Sequence, residues 1–127
     1  MSEGFDSQII FFHTDDLELV HRFYGGVLNL PLALDQDVCR IYRTSPSAYL
    51  GFCTTTSTEF SAVAMITMET GDVDGIAEKL IAAGAPCEKM PSPNPRFSIY
   101  NCFFRDPEGR MIEIQRFDDP GWDKSGR

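Results

Sequence analysis

Basic residues are scarce in this chain, which has 11 Lys and Arg against 19 Asp and Glu and a formal net charge of -8 at pH 7. A protein this acidic repels phosphate backbones, so we expect no nucleic-acid partner. Long apolar runs are also missing, and residues 1–6 contain neither the basic nor the apolar region of a secretory signal. These absences predict a cytoplasmic protein that has no membrane partner.

The few cysteines form no recognisable motif. Cys39, Cys53, Cys87 and Cys102 are scattered, without a CxxC or another spacing typical of metal sites. The sequence therefore favours free, buried thiols over disulfides or metal ligands, and a reducing compartment fits such thiols.

Apolar residues make up 43% of the 127 residues, which suffices for one hydrophobic core but not for two ordinary ones. In the first half, residues 9–12 predict a buried strand, and Asp15 and Asp16 follow as candidate helix caps. Apolar residues then recur at helical spacing until Pro31. Short strands are predicted at residues 32–34, 38–43 and 48–53, and residues 54–61 are typical of a linker.

The same order recurs in the second half. A strand at about residues 63–69 precedes a helix that starts at Asp72 and ends at Gly84, and two strands close the chain. This duplication predicts a single α+β domain of two tandem βαβββ modules, about residues 7–56 and 61–117, with a polar tail at 118–127. We expect the modules to form a curved mixed sheet around a concave pocket, with the helices on the outer face.

Residues 103–114 carry the clearest local pattern, a β-hairpin. The segment Asp106-Pro107-Glu108-Gly109 suits the turn, because proline fixes φ and glycine accepts the left-handed conformation that re-enters the strand. In the outgoing strand Glu113 alternates with two isoleucines, so its carboxylate faces away from the oily side. Such a residue is either solvated or part of a site.

Two sets of motifs carry a family resemblance. The first module contains Asp16-Leu17-Glu18, Phe23-Tyr24 and Val27-Leu28-Asn29-Leu30, and the second contains Arg105-Asp106-Pro107-Glu108-Gly109 and Ile112-Glu113-Ile114. With these the chain resembles, over residues 9–117, the vicinal oxygen chelate superfamily of glyoxalase I, bleomycin-resistance proteins and extradiol dioxygenases. The resemblance implies the two-module fold and a homodimer. It implies no single activity, because members catalyse isomerisation, epimerisation, ring cleavage and thiol transfer, or only bind a drug.

The resemblance also implies four strand positions that hold a divalent metal ion in metal-dependent members. In this chain they are Ile9, Gly51, Met65 and Glu113, and Glu113 alone is a suitable ligand for a hard ion. We therefore expect neither a metal nor another cofactor, the alternative being a divalent ion held in a nonstandard way.

Strand alternation predicts which side chains share the inner face with Glu113. His13 is the repeat-mate of Glu69, and a histidine between carboxylates suits a general acid or base, so His13 and Glu113 are the candidate catalytic residues. The alternative is that His13 ends its strand and hydrogen-bonds the helix cap. The predicted ligand contacts are Phe11, Tyr42, Tyr49, Met65, Glu69, Arg96, Tyr100 and Met111.

Three of these ligand contacts have an equally open structural interpretation. Tyr42 and Tyr100 lie in strands whose orientation alternation alone does not decide, so they line the cavity or pack in the core. Arg96 follows the proline-rich residues 91–95, predicted as a stiff loop, and lies at the pocket mouth or simply on the surface.

The leading functional prediction is a metal-independent protein that binds a small apolar or aromatic ligand. The alternative is a metal-dependent lyase, isomerase or dioxygenase with a nonstandard ligand set of His13, Glu69 and Glu113. A third possibility, a protein-binding module, requires an exposed apolar patch. Metal content distinguishes the first two.

Overall fold

The structure is a computed structural model that describes residues 4–58 and 65–122. Within these ranges the chain forms eight strands and two helices and clusters into two compact units. The first unit comprises residues 4–58 and 107–110, and the second comprises residues 65–106 and 111–122. None of the helices in the described ranges has the length and apolar character needed to cross a membrane.

The first unit is a four-stranded mixed sheet with the order β1-β4-β3-β2. β1 runs parallel to β4, and the other neighbours are antiparallel. A helix, α1, connects β1 to β2 and continues without a break as a π-helical segment. In chain order the elements are β1 Gln8–His13, α1 Leu17–Val20, the π-helical segment His21–Val27, β2 Leu32–Asp35, β3 Cys39–Ser45 and β4 Ala48–Cys53.

Helix α1 begins at the predicted cap. The Asp16 side chain accepts a hydrogen bond from Leu19 N at 3.0 Å, which satisfies a backbone donor that the helix itself cannot pair. The π-helical segment then brings Tyr24 onto Phe52 of β4, with 4.6 Å between the ring centroids. Both residues are fully buried, so the core of the first unit lies between the sheet and this helical face.

The second unit repeats this plan with the order β5-β8-β7-β6, in which β5 runs parallel to β8. Asp72 caps its helix as Asp16 caps the first, accepting from Gly75 N at 3.0 Å. Val73, Ala77 and Leu80 of that helix are buried against the sheet. In chain order the elements are β5 Ile66–Glu69, α2 Val73–Ala82, β6 Cys87–Asn94, β7 Ile99–Arg105 and β8 Met111–Phe117.

The predicted α+β fold of two βαβββ modules is confirmed, with two corrections to the strands. Three strands close the chain instead of two, because residues 91–94 belong to β6 and only residues 95–98 form a turn. β6 is an edge strand, where a proline removes a backbone donor that the ladder does not need. Strand β1 is also not fully buried, since Ile9 and Ile10 are 41% and 46% exposed. The predicted strand start at residues 63–64, the linker end at 59–61 and the tail at 123–127 lie outside the described residues.

Candidate functional site

Each sheet has one face covered by its helix and a second, helix-free face. In the first unit the helix-free face carries Ile9 and Tyr49, which are ladder partners, and Phe11 and Gly51, which are the next pair. Phe11 is 42% exposed. The predicted ligand contacts Phe11 and Tyr49 therefore share one apolar surface.

The ring of Phe11 lies directly on the backbone of Gly51. A Cβ atom built on Gly51 would collide with Cδ1 and Cε1 of that ring. Glycine is therefore required at this position by the close approach of the aromatic ring, and no larger residue fits there while the ring keeps its place. The Phe11 ring thus occupies the space beside Gly51, one of the positions where the resemblance implies a metal ligand.

His13 ends β1 in a buried site, 7% exposed. Its Nε2 atom lies 2.8 Å from Asp15 Oδ1, and its Nδ1 atom lies 3.4 Å from Thr56 Oγ1. The carboxylate that contacts this imidazole is thus the neighbouring Asp15, while Glu69 and Glu113 belong to the second unit. His13 thus ends its strand, as in the alternative, but its ring contacts Asp15 and not the observed helix cap, Asp16.

Arg110, which the sequence analysis did not single out, is the largest fully buried side chain of the described residues, at 1% exposed. Its Nη2 atom donates to the His13 carbonyl at 2.5 Å, and its Nη1 atom lies 3.1 Å from Glu108 Oε1. Its guanidinium also lies over the rings of Phe12 and Phe52, 5.4 and 5.1 Å from their centroids. Arg110 therefore fixes the end of β1 where His13 lies.

Glu113 occupies the centre of the helix-free face of the second unit and is 6% exposed. Thr67 Oγ1 donates to its Oε1 atom and Asn101 Nδ2 donates to its Oε2 atom, each at 2.8 Å. Lys89 Nζ donates to Asn101 Oδ1, which fixes the amide so that its NH₂ group faces the carboxylate. Glu113 is thus a buried carboxylate with an assigned donor on each oxygen.

The remaining predicted contacts in the second unit divide between its two faces. Glu69 and Met111 alternate onto the face of Glu113, and Met65, 51% exposed, directly precedes β5. Tyr100 lies on the opposite face, where its hydroxyl donates to Asp74 Oδ1 of α2 at 2.7 Å, and this hydrogen bond raises the Tyr100 pKa. Arg96 lies in the turn between β6 and β7.

Tyr42 of β3 likewise lies on the helix-covered face. It is fully buried, its hydroxyl is 2.9 Å from His21 Nδ1, and burial raises its pKa. The two tyrosines for which the sequence left two interpretations therefore both pack toward helices.

The prediction of free, buried thiols is confirmed only for Cys102, because two cysteines are paired and the free Cys87 is exposed. Cys39 and Cys53 form a disulfide, while Cys87 and Cys102 are free. The pair is made by ladder register, because Cys39 of β3 lies directly opposite Cys53 of β4. The sequence did contain a signal for this pair, because Cys39 and Cys53 lie almost equally far from the hairpin turn at residues 46–47.

The residues at the family's metal positions do not fit a divalent ion. Ile9 and Gly51 offer no ligand atom, Met65 offers a soft thioether, and only Glu113 has a carboxylate. Across residues 4–58 and 65–122, no group of three or more His, Cys, Asp or Glu side chains has an arrangement that could hold a metal.

Comparisons with known proteins agree with this architecture. The family model described as Glyoxalase/Bleomycin resistance protein/Dioxygenase superfamily matches residues 9–114. The chain therefore belongs to this superfamily. No curated protein matches the sequence.

Solved structures share the fold at low sequence identity. A glyoxalase/bleomycin resistance protein/dioxygenase from Nocardioides is 20% identical with a TM-score of 0.72, over 100% of this chain and 91% of that one. TioX from Micromonospora sp. ML1 is 18% identical with a TM-score of 0.73, over 87% and 97% of the two chains. A family enzyme from Burkholderia phytofirmans PsJN is 19% identical with a TM-score of 0.70, over 85% and 95%.

Proposed function

We propose that this protein binds a small apolar or aromatic molecule without a metal ion. The observation that carries the proposal is that Ile9, Gly51 and Met65 stand at three of the four positions where the resemblance implies metal ligands. The ring of Phe11 lies in the space above Gly51. An exposed aromatic ring on a flat backbone is a surface on which another ring stacks favourably.

In the second unit, taken by itself, Glu113 is a candidate hydrogen-bond acceptor for a ligand. Thr67 and Asn101 hold its carboxylate in one orientation, and each carboxylate oxygen has a second lone pair. A hydroxyl, amine or amide group of a ligand would suit these lone pairs. Three expectations stay predictions: a concave pocket that encloses the ligand, a homodimer and a cytoplasmic location. The expectation of a reducing compartment depended on free thiols, and the Cys39–Cys53 disulfide removes that argument.

A library of aromatic and aliphatic compounds, screened by ligand-observed NMR against the full chain, tests the proposal. For a bound compound, we expect Phe11→Ala to weaken the affinity about 5-fold, since a lost ring contact is worth about 1 kcal/mol. Phe97→Ala is the matched control, because Phe97 is 59% exposed in a turn of the second unit, and it should leave the affinity unchanged.

The alternative of a metal-dependent lyase, isomerase or dioxygenase is tested on the same preparation. Calorimetric titration with Mn, Fe, Ni and Zn should show no tight binding by the wild type. Stoichiometric binding that Glu113→Ala abolishes would overturn the proposal and establish a nonstandard metal site.

A further inference from the structure

Three residues form one row across the helix-free face of the first unit. His13 on β1 is the ladder partner of Cys53 on β4, and Cys53 is the ladder partner of Cys39 on β3. Residues opposite each other in neighbouring strands point to the same side of a sheet. The Cys39–Cys53 disulfide therefore lies beside the buried histidine.

The backbone accommodates this disulfide without depending on it. Thr54 N donates to Val38 O at 2.9 Å, which identifies Cys39 and Cys53 as a pair that exchanges no backbone hydrogen bonds with each other. Such pairs have closely spaced Cα atoms, here 4.1 Å apart. The ladder of β3 and β4 keeps the two cysteines opposite each other whether or not their sulfur atoms are bonded.

Cys53 is connected to the side chain of His13 through a threonine. The Cys53 carbonyl accepts hydrogen bonds from Thr14 N and from Thr56 Oγ1, each at 3.1 Å. The same Thr56 hydroxyl lies 3.4 Å from His13 Nδ1. A shift of Cys53 on breaking the S–S bond is therefore transmitted to the atom that contacts the imidazole.

We propose that Cys39 and Cys53 are a reversible dithiol–disulfide couple that exchanges with low-molecular-weight thiols, and that its redox state sets the hydrogen bonding of His13. Both cysteines are buried at 7% exposed, but Cys39 begins β3 and Cys53 ends β4, so a small thiol reaches their sulfur atoms when this open end of the hairpin frays. A thiolate attacks one sulfur, the protein S–S bond breaks, and a mixed disulfide forms. A second thiolate attacks the small-molecule sulfur of the mixed disulfide, so that a small disulfide forms and the protein thiolate leaves. The protein thereby gains two electrons and two protons as two thiols.

Counting thiols in glutathione redox buffers tests the couple. The full chain is equilibrated, denatured in alkylating reagent and weighed by mass spectrometry. We expect two labels at the oxidising end, on Cys87 and Cys102, and four at the reducing end. Cys87→Ser, which removes an exposed free thiol, should lower each count by one and leave the midpoint unchanged. Four labels in every buffer, or a disulfide that no buffer reduces, would overturn the couple.

The two histidines of the chain provide the second readout. The imidazole NMR signals of His13 should shift between the oxidised and reduced proteins, whereas those of His21, which contacts Tyr42 on the other face, should not. Cys39→Ser should hold His13 at its reduced position in every buffer, and if this variant does not fold, the two forms of the wild type decide. An unmoved His13 would refute the link. Neither readout needs a small-molecule ligand, so both are independent of the proposed function.

Discussion

The parallel strand pairs of the two units carry different kinds of side chain at equivalent positions. In the first unit β1 and β4 bring Phe11 opposite Gly51, and in the second β5 and β8 bring Thr67 opposite Glu113. One pair is an aromatic ring lying on a glycine, and the other is a hydroxyl donating to a carboxylate. Because parallel ladders use backbone atoms only, the topology leaves the chemistry of this face free to differ between the repeats.

The largest effect on the free energy of unfolding is expected when Gly51 is replaced by glutamate, the residue at the equivalent position of the second unit. Gly51→Glu should lower the free energy of unfolding by about 3 kcal/mol, because its side chain collides with the Phe11 ring and buries a carboxylate. The double variant Phe11→Thr/Gly51→Glu recreates the pair of the second unit and should regain about 1 kcal/mol or more. Urea unfolding measures both.

Gly71→Glu is the control for Gly51→Glu, since a Cβ atom at Gly71 meets open space. We expect that change to stay within about 0.5 kcal/mol. A double variant at positions 11 and 51 that is no more stable than the sum of its single changes predicts would contradict the equivalence of the two pairs.

The next effect concerns the support of Glu113. Asn101→Ala removes the donor to Oε2 and leaves a buried acceptor unpaired, so we expect a loss of about 2 kcal/mol in urea unfolding. Asn94→Ala, at the end of the edge strand, should cost less than about 0.5 kcal/mol. Equal losses for both variants would show that the contact with Glu113 contributes nothing.

The helix caps are expected to behave alike in the two units. Asp16→Ala and Asp72→Ala each remove a side-chain acceptor from the first turn of a helix, and each should cost about 1 kcal/mol. Asn or Ser at either position should restore most of the loss. A difference above about 1 kcal/mol between the two alanine variants would mean that one helix start depends on more than its cap.

The smallest effect concerns the ionisation of Tyr42 at alkaline pH. Burial raises the Tyr42 pKa above its ordinary value of 10.0, so the unfolded chain loses this proton first. Its contribution to stability should be complete below pH 10 and lost as the pH rises through the folded-state pKa. Tyr42→Phe should flatten this part of the stability profile, measured by urea unfolding between pH 8 and pH 11. An identical profile for Tyr42→Phe and the wild type would contradict the assignment.

Local sequence signals predicted most of the fold. The aspartate caps, the Asp106 to Gly109 turn and the recurring order of elements each depend on nearby residues, and the structure has them where the sequence placed them. The prolines of β6 were misleading, because their effect on a strand depends on whether it lies at an edge. That is a property of the whole sheet.

The site was less accessible to sequence reasoning because its contacts join distant residues. Arg110 reaches the carbonyl of His13, and the disulfide depends on a register with an irregularity between Arg43 and Ser45. Alternation along one strand also does not reveal which face a helix covers, and that left Tyr42 and Tyr100 undecided.

The Pro107–Arg110 turn belongs to a unit whose other described residues, 4–58, lie at least 49 positions earlier in the chain. During synthesis Arg110 leaves the ribosome long after β1. The His13 carbonyl at the end of β1 therefore gains its guanidinium donor late. A gene fragment that encodes residues 1–64 alone lacks this arginine, so we expect its product to be less stable than the same residues in the full chain.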